Sequence, residues 1–300
     1  MRTEVLGKMP SDSLLRIVAL VIDGLSLGFL YAMIGLGITL VFGLGGILNL
    51  AIGVFMVIAI LIVFELAMLG MTSPALVVVA IIIAIAATSA LGYAIERSIF
   101  PLIYRSEGEE RLLLGIFVTL GLAIVMEGLI SLRWAGDFTV PLRIPSVGFF
   151  GTTVRGSSFV IIAVSLVTFF LMYLFFSRTD AGIATRTIMQ DETGAVLCGI
   201  DITKMRRGIW VMSIGIAALA GILWGLAFSQ NVNFTFDLTT VAIVVSIVGG
   251  MTSIVGVVIA GLALGIISTF ITVYASSYLA SIALFLIAII VLLIKPEGLS

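Results

Sequence analysis

Apolar runs long enough to cross a lipid bilayer follow one another along most of the chain. The first, Ile17–Phe42, carries Asp23 as its only charged residue. At about 1.5 Å per residue it exceeds the ~30 Å thickness of a hydrocarbon core. No water satisfies backbone groups there, so runs of this kind are confined to helices. Further spans are expected at about Leu48–Leu69, Ala75–Ile95, Leu112–Leu132, Phe159–Phe176, Ile209–Ser229 and Leu279–Ile294. A pair of helices, about Leu238–Val248 and Val255–Val273, occupies the interval before the last span. The expected fold class is all-α. It is a polytopic membrane helix bundle of eight or nine spans, with two Gly-broken helices in a weak internal repeat, and residues 1–300 form a single transmembrane domain.

The rest of the composition narrows the chemistry. With 61% apolar and 10% charged residues, the chain cannot cover a soluble surface. Its net charge of −1 gives no footprint for nucleic acid. There is no histidine, and Cys198 is the only cysteine, so an internal disulfide is excluded. The early apolar segment is too long for a cleavable signal and lacks a small-residue cleavage site, so it is expected to stay as a span. No G-x-x-x-x-G-K-[ST] phosphate loop is present, so any ATP must be bound by another chain. The acids near spans, Asp23, Glu65, Glu96 and Glu127, each fall within about two turns of an expected helix end, where reaching the interface costs little. Asp23 and Glu127 fit either the interface or a polar vestibule. An ion-driven carrier needs ionisable groups at mid-depth, and a hydrolase needs a nucleophile–base pair or a metal.

Two apolar stretches are interrupted in similar ways. GLGGILNLAIGVFMVIA (43–59) carries Gly45, Gly46, Asn49 and Gly53, and SIVGGMTSIVGVVIAGLA (246–263) carries Gly249, Gly250, Ser253 and Gly256. Paired interrupted helices point to a translocation pathway between repeats. Glycine also serves close helix packing in membranes, and both readings stand on these residues.

The longest polar interruption, 177–208, reads as a cytoplasmic loop with a built structure. Thr187–Gln190 fits a capping box, and Met189–Cys198 fits a short amphipathic helix with Asp191 and Glu192 in its first turn. Ala195, Val196 and Leu197 form its apolar part, and Gly199 fits its terminator. Lys204, Arg206 and Arg207 precede the next span, a cytoplasmic signature. If this loop is inside, nine Lys and Arg residues face the cytoplasm (Arg97, Arg105, Arg111, Arg178, Arg186, Lys204, Arg206, Arg207, Lys295). Six face outward (Arg2, Lys8, Arg16, Arg133, Arg143, Arg155). The N-terminus is then outside and the C-terminus inside. Arg133–Gly156 reads as an extended or hairpin-like outer loop, with Trp134 at the interface.

These residues also carry a resemblance. Gly182, Ala184, Arg186, Gln190, Asp191, Ala195, Leu197, Gly199 and Ile200 resemble the coupling loop of bacterial ABC importer permeases, most closely LivH-type permeases for branched-chain amino acids. Gly28–Gly53, Val248–Gly256 and Lys295–Leu299 resemble that family's G-x-x-YA-x-x-x-LG…G…N-x-A-x-G, GG-x-x-S-x-x-G and closing P-x-GL motifs. The match runs over roughly Asp23–Leu299. Ile52 and Val54 stand where family members usually carry His and Glu, and related permeases carry urea, amides and other small solutes. The resemblance implies a transport subunit, not an enzyme, with no cofactor of its own. It also implies a second permease subunit, two ATP-binding subunits, an extracytoplasmic solute-binding protein, surrounding membrane lipid and a bacterial inner membrane. Arg186, Gln190, Asp191, Glu192, Ala195, Leu197 and Gly199 then couple to the ATPase, Asp191 and Glu192 by pairing with its basic residues. Two other classes remain on the residues alone: an autonomous channel or secondary carrier for a small neutral solute, and a structural membrane protein.

Cys198 reports the orientation. An impermeant maleimide is expected not to label it in intact cells; strong labelling from outside would reverse the orientation.

Overall fold

The structure, a computed structural model, describes residues 9–134, 136–142, 144–149, 152–295 and 298. Arg2, Lys8, Arg143 and most of the closing P-x-GL motif lie outside the described residues. Eleven helices and one hairpin make up the described chain: α1 (Met9–Gly45), α2 (Ile52–Met68), α3 (Pro74–Ile103), α4 (Gly108–Ser131), α5 (Gly156–Arg178), α6 (Asp180–Gln190), α7 (Glu192–Leu197), α8 (Ile202–Ala227), α9 (Phe234–Gly249), α10 (Ile254–Tyr274) and α11 (Ser277–Ile294). Strands β1 (Val147–Phe149) and β2 (Thr152–Val154) pair antiparallel with Val147 opposite Val154, in the loop where a hairpin is expected. The all-α polytopic bundle holds.

Seven helices among the described residues are long and apolar enough to cross a membrane: α1 from Arg16, α3, α4, α5, α8, α10 and α11. The remaining apolar helices, α2 and α9, have 17 and 16 residues. Each reaches only about 25 Å, short of a hydrocarbon core on its own, and each follows a non-helical stretch, 46–51 or 228–233.

Burial separates core from rim. α2 is almost wholly enclosed and α8 is buried along most of its length. α3, α4, α5 and α11 turn outward side chains such as Ile82, Phe117, Phe170 and Leu293. In water those faces would aggregate; in lipid they are the solvated surface. α1 and α10 approach until backbones touch. A Cβ on Gly28 would lie 2.8 Å from Leu262 Cα, and one on Gly261 would lie 2.5 Å from Ala32 N. This is small-residue packing, which draws membrane helices together through van der Waals contact.

The contacts disclose an inverted repeat. α1 runs antiparallel to α8: Ser213 Oγ donates to the Gly37 carbonyl at 2.6 Å, and Tyr31 stacks on Trp224 with centroids 6.0 Å apart. α1 packs on α9 and α10, while α8 packs on α2 and α3. Thus α1–α2–α3 and α8–α9–α10 exchange partners as two antiparallel copies of one unit do. The sequence comparison pairs 43–59 with 246–263, but the structural counterpart of the break 46–51 is 228–233. The reason is physical: 250–253 is a tight turn between two packed helices, whereas 46–51 and 228–233 are non-helical lead-ins to the two short ones.

Two further expectations change. The span expected to end near Ile95 continues, because α3 runs through Pro101 to Ile103. Glu96, expected near an interface, is 1% exposed and accepts from Arg207 Nε at 2.7 Å. That pair ties α3 to α8 beside Trp210, whose indole N–H donates to the Gly92 carbonyl at 2.9 Å.

Candidate functional site

The first helix break is stitched by two threonines. Gly46 has φ +63, a left-handed conformation that glycine adopts at little cost, and it ends α1. The chain then runs without helical bonds to Ala51. Leu50 N–H donates to Thr119 Oγ1 at 3.0 Å, and that hydroxyl lies 3.1 Å from the Leu48 carbonyl and 2.7 Å from the Gly115 carbonyl. Gly53 N–H donates to Thr239 Oγ1 at 3.1 Å. Asn49 is fully buried; its Oδ1 accepts from Ala51 N–H at 3.0 Å, while its Nδ2 has no partner. A side chain at Gly53 would collide with the Thr235 carbonyl, so the starts of α2 and α9 are pressed together. Gly45 lies more loosely against the Tyr104 hydroxyl, 3.3 Å from where a Cβ would stand.

The counterpart break has the same chemistry with opposite sign. Phe138 and Gln230 exchange backbone bonds at 2.7 and 2.9 Å, so the outer loop supplies what a helix would have supplied. Gln230 is 2% exposed and its Oε1 has no partner. One lead-in therefore holds a buried unpaired donor and the other a buried unpaired acceptor. The sequence reading does not place Gln230 beside Asn49 in role. Thr119 and Thr239 escape it altogether, because a threonine in an apolar helix gives no signal of what it serves.

The remaining pathway candidates sit at the other turn. Gly250 has φ +96, and Gly249 and Gly256 touch so closely that neither admits a side chain. Ser253 is the N-cap of α10, accepting from Gly256 N–H at 3.1 Å. These residues shape a helical hairpin, and Thr252 lies against Gly43 at the end of α1.

At that same end sit α6 and α7. The cap of α6 is Thr179, which accepts from Gly182 N–H at 3.0 Å. Thr187 lies inside the helix, its hydroxyl donating back to the Ile183 carbonyl at 3.0 Å, so the expected capping box does not form. The helix expected over Met189–Cys198 is split at Asp191, whose extended backbone (φ −151, ψ 101) joins α6 to α7. The terminator is where the sequence puts it. Gly199 has φ +81, its N–H donates to Val196 O at 2.9 Å, and Ile200 N–H reaches Ala195 O at 3.0 Å. That double closure satisfies the last carbonyls of a six-residue helix.

The exposed surface differs from the expected one in one respect. Arg186, Gln190, Asp191, Val196 and Leu197 face outward, Leu197 at 83% exposure, whereas Ala195 is fully buried beneath the helix. Glu192 is exposed but already paired within the chain. Its Oε2 accepts from Arg206 at 2.8 Å and lies 3.7 Å from Arg111. Arg206 is 8% exposed; its Nε donates to the Leu44 carbonyl at 3.3 Å, and its guanidinium stands 4.7 Å over the Tyr104 ring. Burial, the dominant influence, keeps the Tyr104 hydroxyl protonated well above its usual range. One buried guanidinium thus joins α7, the α3–α4 connection and the carbonyl end of α1.

Comparison with known proteins gives these features a family. The model for the permease component of branched-chain amino acid transport systems matches residues 20–294. The chain belongs to this family. Among relatives of the permease, the high-affinity branched-chain amino acid transport permease BraD of Pseudomonas aeruginosa is 31% identical, over 92% of this chain and 93% of the relative. LivH of Salmonella typhimurium is 30% identical over 96% of each, and LivH of Escherichia coli K12 is 29% identical over 96% of each. No solved structure matches the chain. The permease is a multi-pass membrane transport subunit, and its buried breaks and docked helices are read in that light.

Thr119→Val keeps the shape of the side chain but leaves Leu50 N–H buried without a partner, at a cost of about 1–3 kcal/mol. It is expected to lower the thermal midpoint of the purified permease. Thr168→Val, which removes a hydroxyl bonded only to its own helix at Val164, is expected to leave it unchanged. Equal midpoints for the two variants would show that the break does not depend on Thr119.

Proposed function

We propose that the permease works in the bacterial inner membrane as part of an ABC importer for branched-chain or related small amino acids. Its partners are a second permease, two ATP-hydrolysing subunits and an extracytoplasmic solute-binding protein. The branched-chain amino acid transport named for BraD and LivH supports the substrate class. The observation that carries the mechanism is the Glu192–Arg206–Leu44 connection.

ATP binding and hydrolysis on the partner move its surface, and α7 is the short rigid element that receives the motion. Leu197 and Val196 are its outward apolar anchors; Asp191, Gln190 and Arg186 form a polar rim around them. Buried apolar anchors dominate interface energies, while exposed charge pairs are worth at most about 1 kcal/mol. Glu192 passes the displacement to Arg206, and Arg206 passes it to the carbonyl where α1 ends and the first break begins. The lead-ins 46–51 and 228–233 are the parts of the bundle free to rearrange, because they lack helical bonds. Asn49 Nδ2 and Gln230 Oε1 then offer a donor and an acceptor to a passing polar solute. A buried polar atom without a partner costs free energy in the closed form, which is regained when the path fills with water or solute.

The reconstituted complex tests this through ATP hydrolysis with and without loaded binding protein. Leu197→Asp is expected to weaken capture of the ATPase more than about tenfold, since it places a charge in the anchor's pocket. Arg206→Gln is expected to retain capture but lose most of the stimulation. Full stimulation in both variants would reduce α7 to a connector.

A further inference from the structure

A cavity of about 290 Å³ lies between α1, α5, α8 and α10. Its place in the bundle follows from helix length. Asp23 on its wall is 21 residues before Leu44, so about 31 Å of α1 separates it from the coupling end. Phe228, also on the wall, lies just past α8 at the far end from Arg206. The cavity is therefore on the side opposite α7, which the orientation makes the outside.

Two opposite charges line it without neutralising each other. Asp23, half-buried on α1, accepts from Ser158 Oγ at 2.7 Å through Oδ1 alone. Arg155, at the start of α5, has its guanidinium 5.7 Å from the Phe228 ring centroid. Among the described residues neither forms an ion pair. Between them the wall is apolar and aromatic, with Leu27, Tyr31 and Trp224, and the stacked Tyr31–Trp224 pair lies about two turns deeper along α1 than Asp23. An acid and a base held in one small cavity, each with unused hydrogen-bonding capacity, complement a molecule that carries both charges on one end and hydrocarbon on the other.

We propose that this cavity is an outward-facing binding site on the permease itself for the zwitterionic head of a free aliphatic α-amino acid. The ammonium sits against Asp23 Oδ2, the carboxylate against Arg155, and the side chain against Leu27, Tyr31 and Trp224. The assignment rests on the amino-acid importer reading and adds a selectivity step after the binding protein. The volume suits one small molecule, since pockets for drug-sized ligands begin near ~300 Å³.

The test is equilibrium binding of radiolabelled leucine to the whole complex in nanodiscs, with the binding protein left out. Leucinamide lacks the carboxylate and isocaproate lacks the ammonium; each is expected to compete at least about tenfold more weakly than leucine, having lost one charged contact. Asp23→Asn is expected to erase the discrimination against isocaproate and keep that against leucinamide. Arg155→Gln is expected to do the reverse, and Asp23→Glu to restore the discrimination against isocaproate. A merely structural role for either residue would weaken all three ligands alike, and that result overturns the proposal. So does absence of leucine binding by a complex that imports leucine once binding protein is added. A complex that imports no amino acid overturns the importer reading, and the site falls with it.

Discussion

Backbone groups inside a bilayer must find their partners within the protein, and the layout of this permease follows from how it meets that demand at two places where its helices stop. Residues 46–51 and 228–233 leave polar groups that helix bonds would have satisfied. The first is served by Thr119 from α4 and Thr239 from α9, the second by the outer loop at Phe138. Such segments survive only when enclosed, so α2 and α9 lie in the middle and the apolar rims of α3, α4, α5 and α11 face lipid. The close seams at Gly53, Gly28 and Gly261 bring the enclosing helices near enough to do it.

The same economy of helix bonds gives the bundle a direction of action. Rigid elements lie at its coupling end, where Arg206 holds α7 to the carbonyl end of α1. The non-helical backbone lies further in, beside the buried amides of Asn49 and Gln230. At the opposite end an open cavity holds Asp23 and Arg155 apart. In the proposed importer, a solute entering there meets charges first, then aromatic rings, then the unpaired amides, and force from the proposed ATPase subunits arrives along α7 and Arg206. The inverted relation of α1–α3 to α8–α10 makes both lead-ins converge on one region from opposite sides, as alternating access requires.

What was legible in the sequence was whatever local chemistry dictates. Apolar length placed the helices, Gly199 announced the end of α7, and the lone Asn49 among glycines marked a real break. Local rules failed where a residue had two lawful uses. Thr187 with Gln190 satisfies the capping-box pattern, yet inside a helix the same hydroxyl bonds back to Ile183. Ala195 looks like a surface anchor because it sits two residues before Leu197, but two helical steps, about 200°, turn it to the bundle. Glu192 reads as an acid for a partner, and the sequence gives no sign that Arg206, fourteen residues on, also bonds it. A weak repeat was visible, but its pairing was hidden because the two breaks share no residue pattern: one carries glycines and Asn49, the other Gln230. The meeting of Asp23 with Arg155 depends on the packing of α1 against α5, which hydropathy does not encode.

The central claim is that motion received by α7 opens the first break through Arg206. Accessibility at the break measures it directly. In a Cys198→Ser background, Asn49→Cys carries the only thiol, and a water-soluble maleimide can be applied to the reconstituted complex at rest and during ATP turnover with loaded binding protein. The account predicts a shielded thiol at rest, labelling during turnover, and loss of that labelling when Arg206→Gln is added. Equal labelling in both states, or turnover-dependent labelling that survives Arg206→Gln, would contradict it.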